Sequence, residues 1–370
     1  MGRRFWTAAL VSLGLAGPAS AGTIPGGFSS LTIYGDSFSD TGNTRDFILN
    51  ATGGLFTYPS ASGRYTEGRN YVDFLAEDFG LTQNVDLFNF AFGGAKAASN
   101  PADAILDFGE QINISAPLAP VRGPNPLGAV FFGGNDIIEA TSAAGGSAAL
   151  GISGIAGDET NPAAVLAAKT VAIQGGVAAA NAILSTLALF GTGSIDTYLL
   201  FNLPDVGAAP RFADPNPIGT NPDTGGSTAE YATIATQAFN LQLSAVADVL
   251  RDLGFTIYEV DLASRFDEIL ANPGDFGLAD ASSACGTLAG FDPFIGALPI
   301  YDFSSAVCDE NDVPSIDVPF WDALHPNEIV HREIAQAATN ALVAPVPLPA
   351  SLPFFAAVLV LLGLRRRRSS

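Results

Sequence analysis

Apolar residues recur along this chain in two alternating rhythms. Short β-branched or aromatic runs stop at glycine, and longer stretches carry apolar positions at helical spacing. Leu31 to Tyr34 is the first run and ends at Gly35-Asp36-Ser37. Leu87 to Phe92 ends at Gly93-Gly94, and Ala129 to Phe132 ends at Gly133-Gly134-Asn135-Asp136. Thr197 to Phe201 leads into Asn202-Leu203-Pro204-Asp205, and Thr256 to Val260 reads as a fifth strand. Between them, Val72, Leu75 and Phe79 fall on one helical face over Tyr71 to Phe79, and Asn161 to Leu189 and Ala229 to Leu253 have the composition of helices. Strand and helix alternating in this way predict an α/β fold, a three-layer α/β/α sandwich with a flavodoxin-like parallel sheet of five strands. Ligands bind such sheets beyond the carboxyl ends of the strands, so the polar residues after strands one, two and three are expected to converge. Gly145 to Gly157 and Ala213 to Gly226, rich in Gly, Ser or Pro, read as loops rather than domain boundaries.

The two ends break this rhythm. Arg3 and Arg4 precede an apolar stretch from Phe5 to Leu15, and Ala19-Ser20-Ala21 supplies small residues, the order of a signal peptide over residues 1–21. That predicts export and processing by a signal peptidase, with a buried first helix as the alternative. At the other end, residues 345–370 hold Val346-Pro347-Leu348-Pro349-Ala350, an apolar segment to Leu364, and Arg365 to Arg368. A helix from Ala350 to Leu364 spans about 22 Å, short of the roughly 30 Å hydrocarbon core unless the prolyl segment joins it or the arginines snorkel. The arginines belong on the cytoplasmic side, which leaves the body outside the inner membrane, in agreement with the leader. The tail resembles the VPLPA-type sorting signals related to the PEP-CTERM class. That resemblance implies cutting by a sorting peptidase, with a permanent anchor as the alternative. Periplasm, cell surface and medium are all consistent destinations.

Charge narrows the partners. With 37 acidic against 16 basic residues the formal charge is −21, and four of those bases are the terminal arginines, so phosphate backbones are repelled and nucleic-acid binding is not expected. The chain has two cysteines, Cys285 and Cys308, which can form a disulfide in an oxidising compartment or remain as structural thiols. They form no zinc pattern, and the acidic run from Cys308 to Asp317 does not match an EF-hand loop, so no metal and no cofactor is expected.

Nucleophilic chemistry has few possible bases, because the chain holds only two histidines, His325 and His331. Asp322 stands three residues before His325, a spacing that lets a tight turn hold the carboxylate against one imidazole nitrogen while the other faces a serine. Ser37 at the end of the first strand is the candidate nucleophile, a helix cap being the alternative role for such a serine. Gly35-Asp36-Ser37-Phe38-Ser39 lacks the second glycine of the α/β-hydrolase elbow. His331, with Ile334 and Ala338 on one helical face, reads as structural. Arg64 and Arg69, flanking Tyr65, can rim a cleft or sit in a solvated loop.

Taken together, the segment Gly35 to Asn43, the segment Asn89 to Ala95, Gly133-Gly134-Asn135-Asp136 and Asp322 to His325 resemble, in order, the blocks of the GDSL or SGNH hydrolases. The resemblance runs from Leu31 to Leu342, is nearest the branch of thermolabile haemolysins, phospholipase-like acyltransferases and plant lipases, and implies the SGNH fold over residues 28–343. It implies Ser37 as nucleophile, His325 as base and then acid, Asp322 as its orienter, and an oxyanion hole from the N–H groups of Ser37 and Gly94 and the amide of Asn135. Gly94 is expected to be glycine because backbone close to a ligand tolerates no Cβ, and Asn135 has a turn role as its alternative. Asp36, Asp40 and Asn43 would brace the nucleophile turn or else form exposed loop polarity. The expected activity is hydrolysis of an ester or lipid through an acyl-serine. Acyl transfer, deacetylation of a cell-surface carbohydrate and an inactive surface-displayed binding protein are the alternatives.

Overall fold

The computed structural model describes residues 23–54, 60, 62–100, 105–141, 162–190, 194–213, 228–291, 299–302 and 317–344. The leader, the sorting tail, Cys308 and the Gly145 to Gly157 loop lie outside them, as does the loop from 214 to 226.

Five strands, β1 (Ser30–Gly35), β2 (Leu87–Asn89), β3 (Pro126–Phe131), β4 (Thr197–Phe201) and β5 (Thr256–Val260), form one sheet in the order β2-β1-β3-β4-β5. Every pairing is parallel. The chain steps from β1 outward to β2 and then crosses to β3 on the other side of β1, so the crevice at the β1 and β3 carboxyl ends is the topological switch point of the sheet. β1 and β3 are buried at every position, as strands covered on both faces must be.

The helices are α1 (Asn43–Ala51), α2 (Tyr71–Phe79), α3 (Phe108–Ser115), α4 (Gly134–Thr141), α5 (Pro162–Phe190), the single turn α6 (Pro210–Ala213), α7 (Thr228–Asp252), α8 (Leu262–Ala271) and α9 (Glu328–Val343). α3, α4, α5 and α7 pack as one group and α2, α8 and α9 as another, completing the α/β sandwich. Within α5, Ala168–Leu189 is long and apolar enough to cross a membrane by length and composition, and it packs along α7. A separate antiparallel pair, β6 (Thr287–Phe291) and β7 (Pro299–Asp302), follows α8.

Two expectations shift. The second strand was expected to run to Phe92 but ends at Asn89, because the Asn89 carboxamide accepts the N–H of Ala91 and donates to the carbonyl of Ser39 and to Thr41 Oγ1, turning the chain toward the β1 loop. The third begins three residues earlier than Ala129, at Pro126, where a first-strand proline costs no ladder bond. Past β2 the Phe90 and Phe92 N–H groups still donate to the Ile33 and Gly35 carbonyls, and the Gln111 amide of α3 adds to them at the end of β1, accepting from Gly35 N at 3.0 Å and donating to its carbonyl at 2.8 Å.

Candidate active site

The β1 strand ends in a loop built around Asp40. Its carboxylate accepts the N–H groups of Gly42, Asn43 and Thr44 from the start of α1, and that of Gly93 from beyond β2. Asn43 donates through Nδ2 to the carbonyls of Asn89 and Ala91. The loop after β1 is thus fastened to the loop after β2 by side chains of both. α2 holds it from a third side. Its N-cap Asn70 forms a capping box with Asp73 and donates to the Asp40 carbonyl at 2.9 Å, and the Tyr71 hydroxyl meets Ser39 Oγ at 2.9 Å. This frame presents Ser37, which is 6% exposed.

The partner of Ser37 arrives from the far end of the chain. Residues 319–327 form a closed loop in which Trp321 N donates to the His325 carbonyl at 2.8 Å and Asn327 N to the Pro319 carbonyl at 3.0 Å, and Asn327 then caps α9 by accepting from Val330 N. Within it, one Asp322 oxygen accepts the backbone N–H groups of Leu324 and His325, both at 2.7 Å. The other oxygen is 2.7 Å from His325 Nδ1, and His325 Nε2 lies 2.9 Å from Ser37 Oγ. All three side chains are buried. The tight turn does what the three-residue spacing asked of it, since the carboxylate is fixed by its own backbone before it meets the ring.

The third contributor is the N-terminus of α4. Asn135 Nδ2 donates to the Ala95 carbonyl at 3.0 Å, and the Asp136 carboxylate accepts the N–H groups of Ala97 and Ala98. These adjacent residues clamp the 94–98 loop against β3, and Asn135 lines the same cavity as Ser37. Among the described residues, the N–H groups of Ser37 and Gly94 have no internal acceptor. Those N–H groups and Asn135 are the donors named as an oxyanion hole, and the structure brings their loops to one sheet edge.

Besides the ligand approach expected of it, Gly94 has a backbone reason to be glycine: its φ is +82°, a left-handed conformation, and a Cβ there would reach Ile105 Cδ1 at 3.2 Å. A close approach within the protein falls on Gly93, where a Cβ would lie 1.8 Å from the Tyr65 hydroxyl oxygen. Tyr65 itself was passed over in the sequence. Its ring lies 4.9 Å from the His325 ring, with Phe38 at 5.9 Å, so two aromatic side chains abut the imidazole. Its flanking arginines do not rim a cleft. Arg64 is paired with Asp73, and Arg69 with Glu77 and Glu328 above the Phe74 ring. Asn89, Asp136 and Asn70 are further residues whose roles were not read from the sequence. The first two sat inside recognised segments, and Asn70 stood three residues before Asp73 as a capping signal.

Burial shapes the titration here. Asp36, whose Oδ1 accepts Phe38 N at 3.1 Å, is driven up to about 7 chiefly by loss of solvent. Asp40 and Asp136 are raised for the same leading reason despite the N–H groups they accept. His331 on α9 is buried with Nδ1 unpartnered, and burial, helped by the nearby His325, lowers it to about 3, so it is neutral and belongs to the core. Cys285 is fully buried, and its expected partner lies outside the described residues. No cluster of metal-ligating side chains occurs among the described residues.

Comparison with known proteins adds the following. A GDSL esterase/lipase of Arabidopsis thaliana is 32% identical over 108 residues, 25% of this chain and 31% of its own length. An acetylesterase of Thermothelomyces thermophilus is 31% identical over 156 residues, 37% of this chain and 50% of its own length. The chain thus spans half or less of these curated relatives. A solved carbohydrate acetylesterase from Sinorhizobium meliloti aligns over 84% of this chain and 96% of its own, at 14% identity and a TM-score of 0.38. The model of the GDSL-like lipase/acylhydrolase family matches residues 31–338, and the chain belongs to that family.

Proposed function

We propose that this protein is an exported carboxylic ester hydrolase that works through an acyl-Ser37 intermediate. The observation that carries the reading is the unbroken line from Asp322 through His325 to Ser37 Oγ, with contacts of 2.7 and 2.9 Å. In the proposed reaction His325 Nε2 takes the Ser37 hydroxyl proton as Oγ bonds to the ester carbonyl carbon. The carbonyl oxygen becomes an oxyanion held by Ser37 N–H, Gly94 N–H and the Asn135 amide. Collapse breaks the bond to the alcohol oxygen, which leaves with the proton from His325. Water then attacks the acyl carbon as His325 accepts its proton, the bond from that carbon to Ser37 Oγ breaks, and His325 returns the proton to Oγ as the carboxylic acid leaves. Asp322 holds the imidazole tautomer that makes each transfer possible. An alcohol in place of water would give acyl transfer through the same intermediate.

The leader and tail read in the sequence support export, removal of residues 1–21 by a signal peptidase, and cutting or anchoring of the tail at the inner membrane. A Cys285–Cys308 disulfide is proposed with them. Intact and reduced mass measurements on protein recovered from the producing cell check both ends and the bond at once. The catalytic reading is tested by labelling purified protein with a fluorophosphonate. Wild type is expected to label and hydrolyse aryl esters, and Ser37→Ala to do neither. A folded wild type that neither labels nor hydrolyses would sink it. The acetylesterase among the relatives makes removal of an acetyl group the second reading, and acetyl release from acetylated polysaccharide would favour it in the form of a carbohydrate deacetylase.

A further inference from the structure

His325 is the group that must gain a charge in the proposed reaction, and two aromatic rings lie against it. Asp322 meets the imidazole at Nδ1 and Ser37 at Nε2. The Tyr65 ring centroid is 4.9 Å from that of His325 at an interplanar angle of 44°, and the Phe38 ring is at 5.9 Å and 53°. Tyr65 is buried, and more than packing holds it there. Before it in sequence, Arg64 pairs with Asp73 in the first turn of α2. After it, Glu67 accepts the N–H of Glu328 at 2.9 Å, and Glu328 in turn accepts the N–H of Arg69 at 3.1 Å. A Cβ at Gly68 would fall 1.7 Å from a Glu328 carboxylate oxygen, an approach that glycine allows. Glu328 opens α9 directly after the loop that carries His325. Reciprocal bonds between side-chain carboxylates and backbone thus fasten the Tyr65 segment to the histidine loop before any substrate arrives.

Resting on the acyl-Ser37 reading, we infer that Tyr65 is a positioning residue whose ring stabilises the imidazolium that His325 becomes when it takes the Ser37 proton. An aromatic ring within about 6 Å attracts a cation through its quadrupole, an effect worth about three- to thirtyfold in a rate or an equilibrium. The neutral imidazole that waits for substrate gains no such attraction. The contact therefore favours the transition state over the ground state and is felt in kcat more than in KM. Asp322 supplies the opposite charge from the ring edge, and Tyr65 adds to it from the ring of a second segment. The other ionisable groups around the imidazole are Asp36 beside Ser37, with Asp136 of α4 near it, and His331 of α9. Arg64, Arg69, Glu67 and Glu328 of the clamp are engaged as described. Burial pushes His331 down to about 3, so no second cation opposes the imidazolium from α9.

The experiment compares wild type with Tyr65→Phe, Tyr65→Leu and a form carrying a ring-fluorinated phenylalanine at position 65, which keeps the size of the ring and withdraws charge from its face. On one aryl ester, kcat, KM and the pH profile of kcat/KM are measured for each. Tyr65→Phe is expected to stay within about twofold of wild type in kcat. Tyr65→Leu and the fluorinated ring are expected to lower kcat about three- to thirtyfold at nearly constant KM. They are also expected to move the acid limb of kcat/KM to lower pH by about 0.4 to 1.5 units, because the imidazolium of the free enzyme loses the same attraction. Asp36, at about 7, titrates in all four forms alike, so the displacement between forms is the readout. Thermal unfolding and fluorophosphonate labelling confirm fold and nucleophile, and the fluorinated ring decides the matter where Tyr65→Leu does not fold. An acid limb that stays in place while kcat falls, or a fluorinated ring that behaves as Tyr65→Phe does, assigns Tyr65 to packing and overturns the inference, with the catalytic reading intact. A Tyr65→Phe variant as impaired as Tyr65→Leu moves the role to the hydroxyl and overturns it equally. A folded wild type that neither labels nor hydrolyses overturns both.

Discussion

At the residue scale the site depends on polar side chains tied to backbone as well as to one another. Asn135 is the clearest case, since one N–H of its amide is held by the Ala95 carbonyl and the side chain is fixed against the cavity that Ser37 also lines. Asn135→Ala is therefore expected to lower kcat for a preferred ester by roughly 10² to 10³ with a small change in KM, the mark of a donor that acts in the transition state. Equal changes in both parameters would assign Asn135 to the turn instead. Asp322→Asn is expected to cost about 10⁴ in kcat while Ser37 stays in place, because the amide orients the wrong imidazole tautomer. Gly93→Ala is a different test: a methyl cannot coexist with the Tyr65 hydroxyl, so Tyr65 must leave its place beside His325. The expected result is a large loss of kcat/KM that Tyr65→Ala matches and that is not deepened in the double variant, as for two residues acting through one contact.

At the element scale β2 is short, and side chains join the backbone in holding the end of β1. Gln111 pairs with Gly35 beside the residues that follow β2, so Gln111→Leu leaves the Gly35 N–H buried without its acceptor and takes a donor from the Gly35 and Leu106 carbonyls, the first of which keeps the Phe92 N–H. About 1 to 3 kcal/mol of stability is expected to go with it, read from denaturant midpoints. Such contacts explain what could and could not be read from the chain. β4, β5, α2 and α5 were legible within a residue or two, because local apolar spacing and caps decide them. α8 carried an equally plain signal, an Asp261 cap before Leu262, Phe266 and Ile269, and was passed over at a strand end. α1 and α4 begin inside segments already read as chemistry, and α3 lies between two such segments with no strand of its own to mark it, so none of the three was read as a helix. Ser37, Asp322 and His325 were legible because their neighbours in sequence prepare them. Tyr65 was not, since nothing local says that its ring will meet a histidine 260 positions later, and that contact exists only in three dimensions.

For the whole molecule, burial of ionisable groups sets how stability answers to pH. Asp36 holds its proton up to about 7 in the folded state, whereas an unfolded carboxyl releases it near 4. The native state binds the extra proton over that window, so this group makes stability fall as pH rises through it. His331 acts in the opposite sense. The unfolded imidazole takes a proton near 6.5 and the native one only near 3, so stability falls as pH drops between those values. The two effects oppose each other from about 4 to 6.5. His331→Leu is expected to make the protein more stable at pH 5 relative to pH 8 than wild type is, by about 2 kcal/mol. Asp36→Asn is expected to shift the same difference the other way. Melting temperatures at the two pH values check both, and a parallel shift at both pH values would refute the assignment. The hydrogen bond between Ser37 and His325 joins residues 288 apart. Until the last loop is made and docked on the first strand, Ser37 is an ordinary alcohol with no base beside it. On the proposed mechanism, a chain that ends before residue 325 is thus expected to be inert toward esters, its nucleophile present and its base missing.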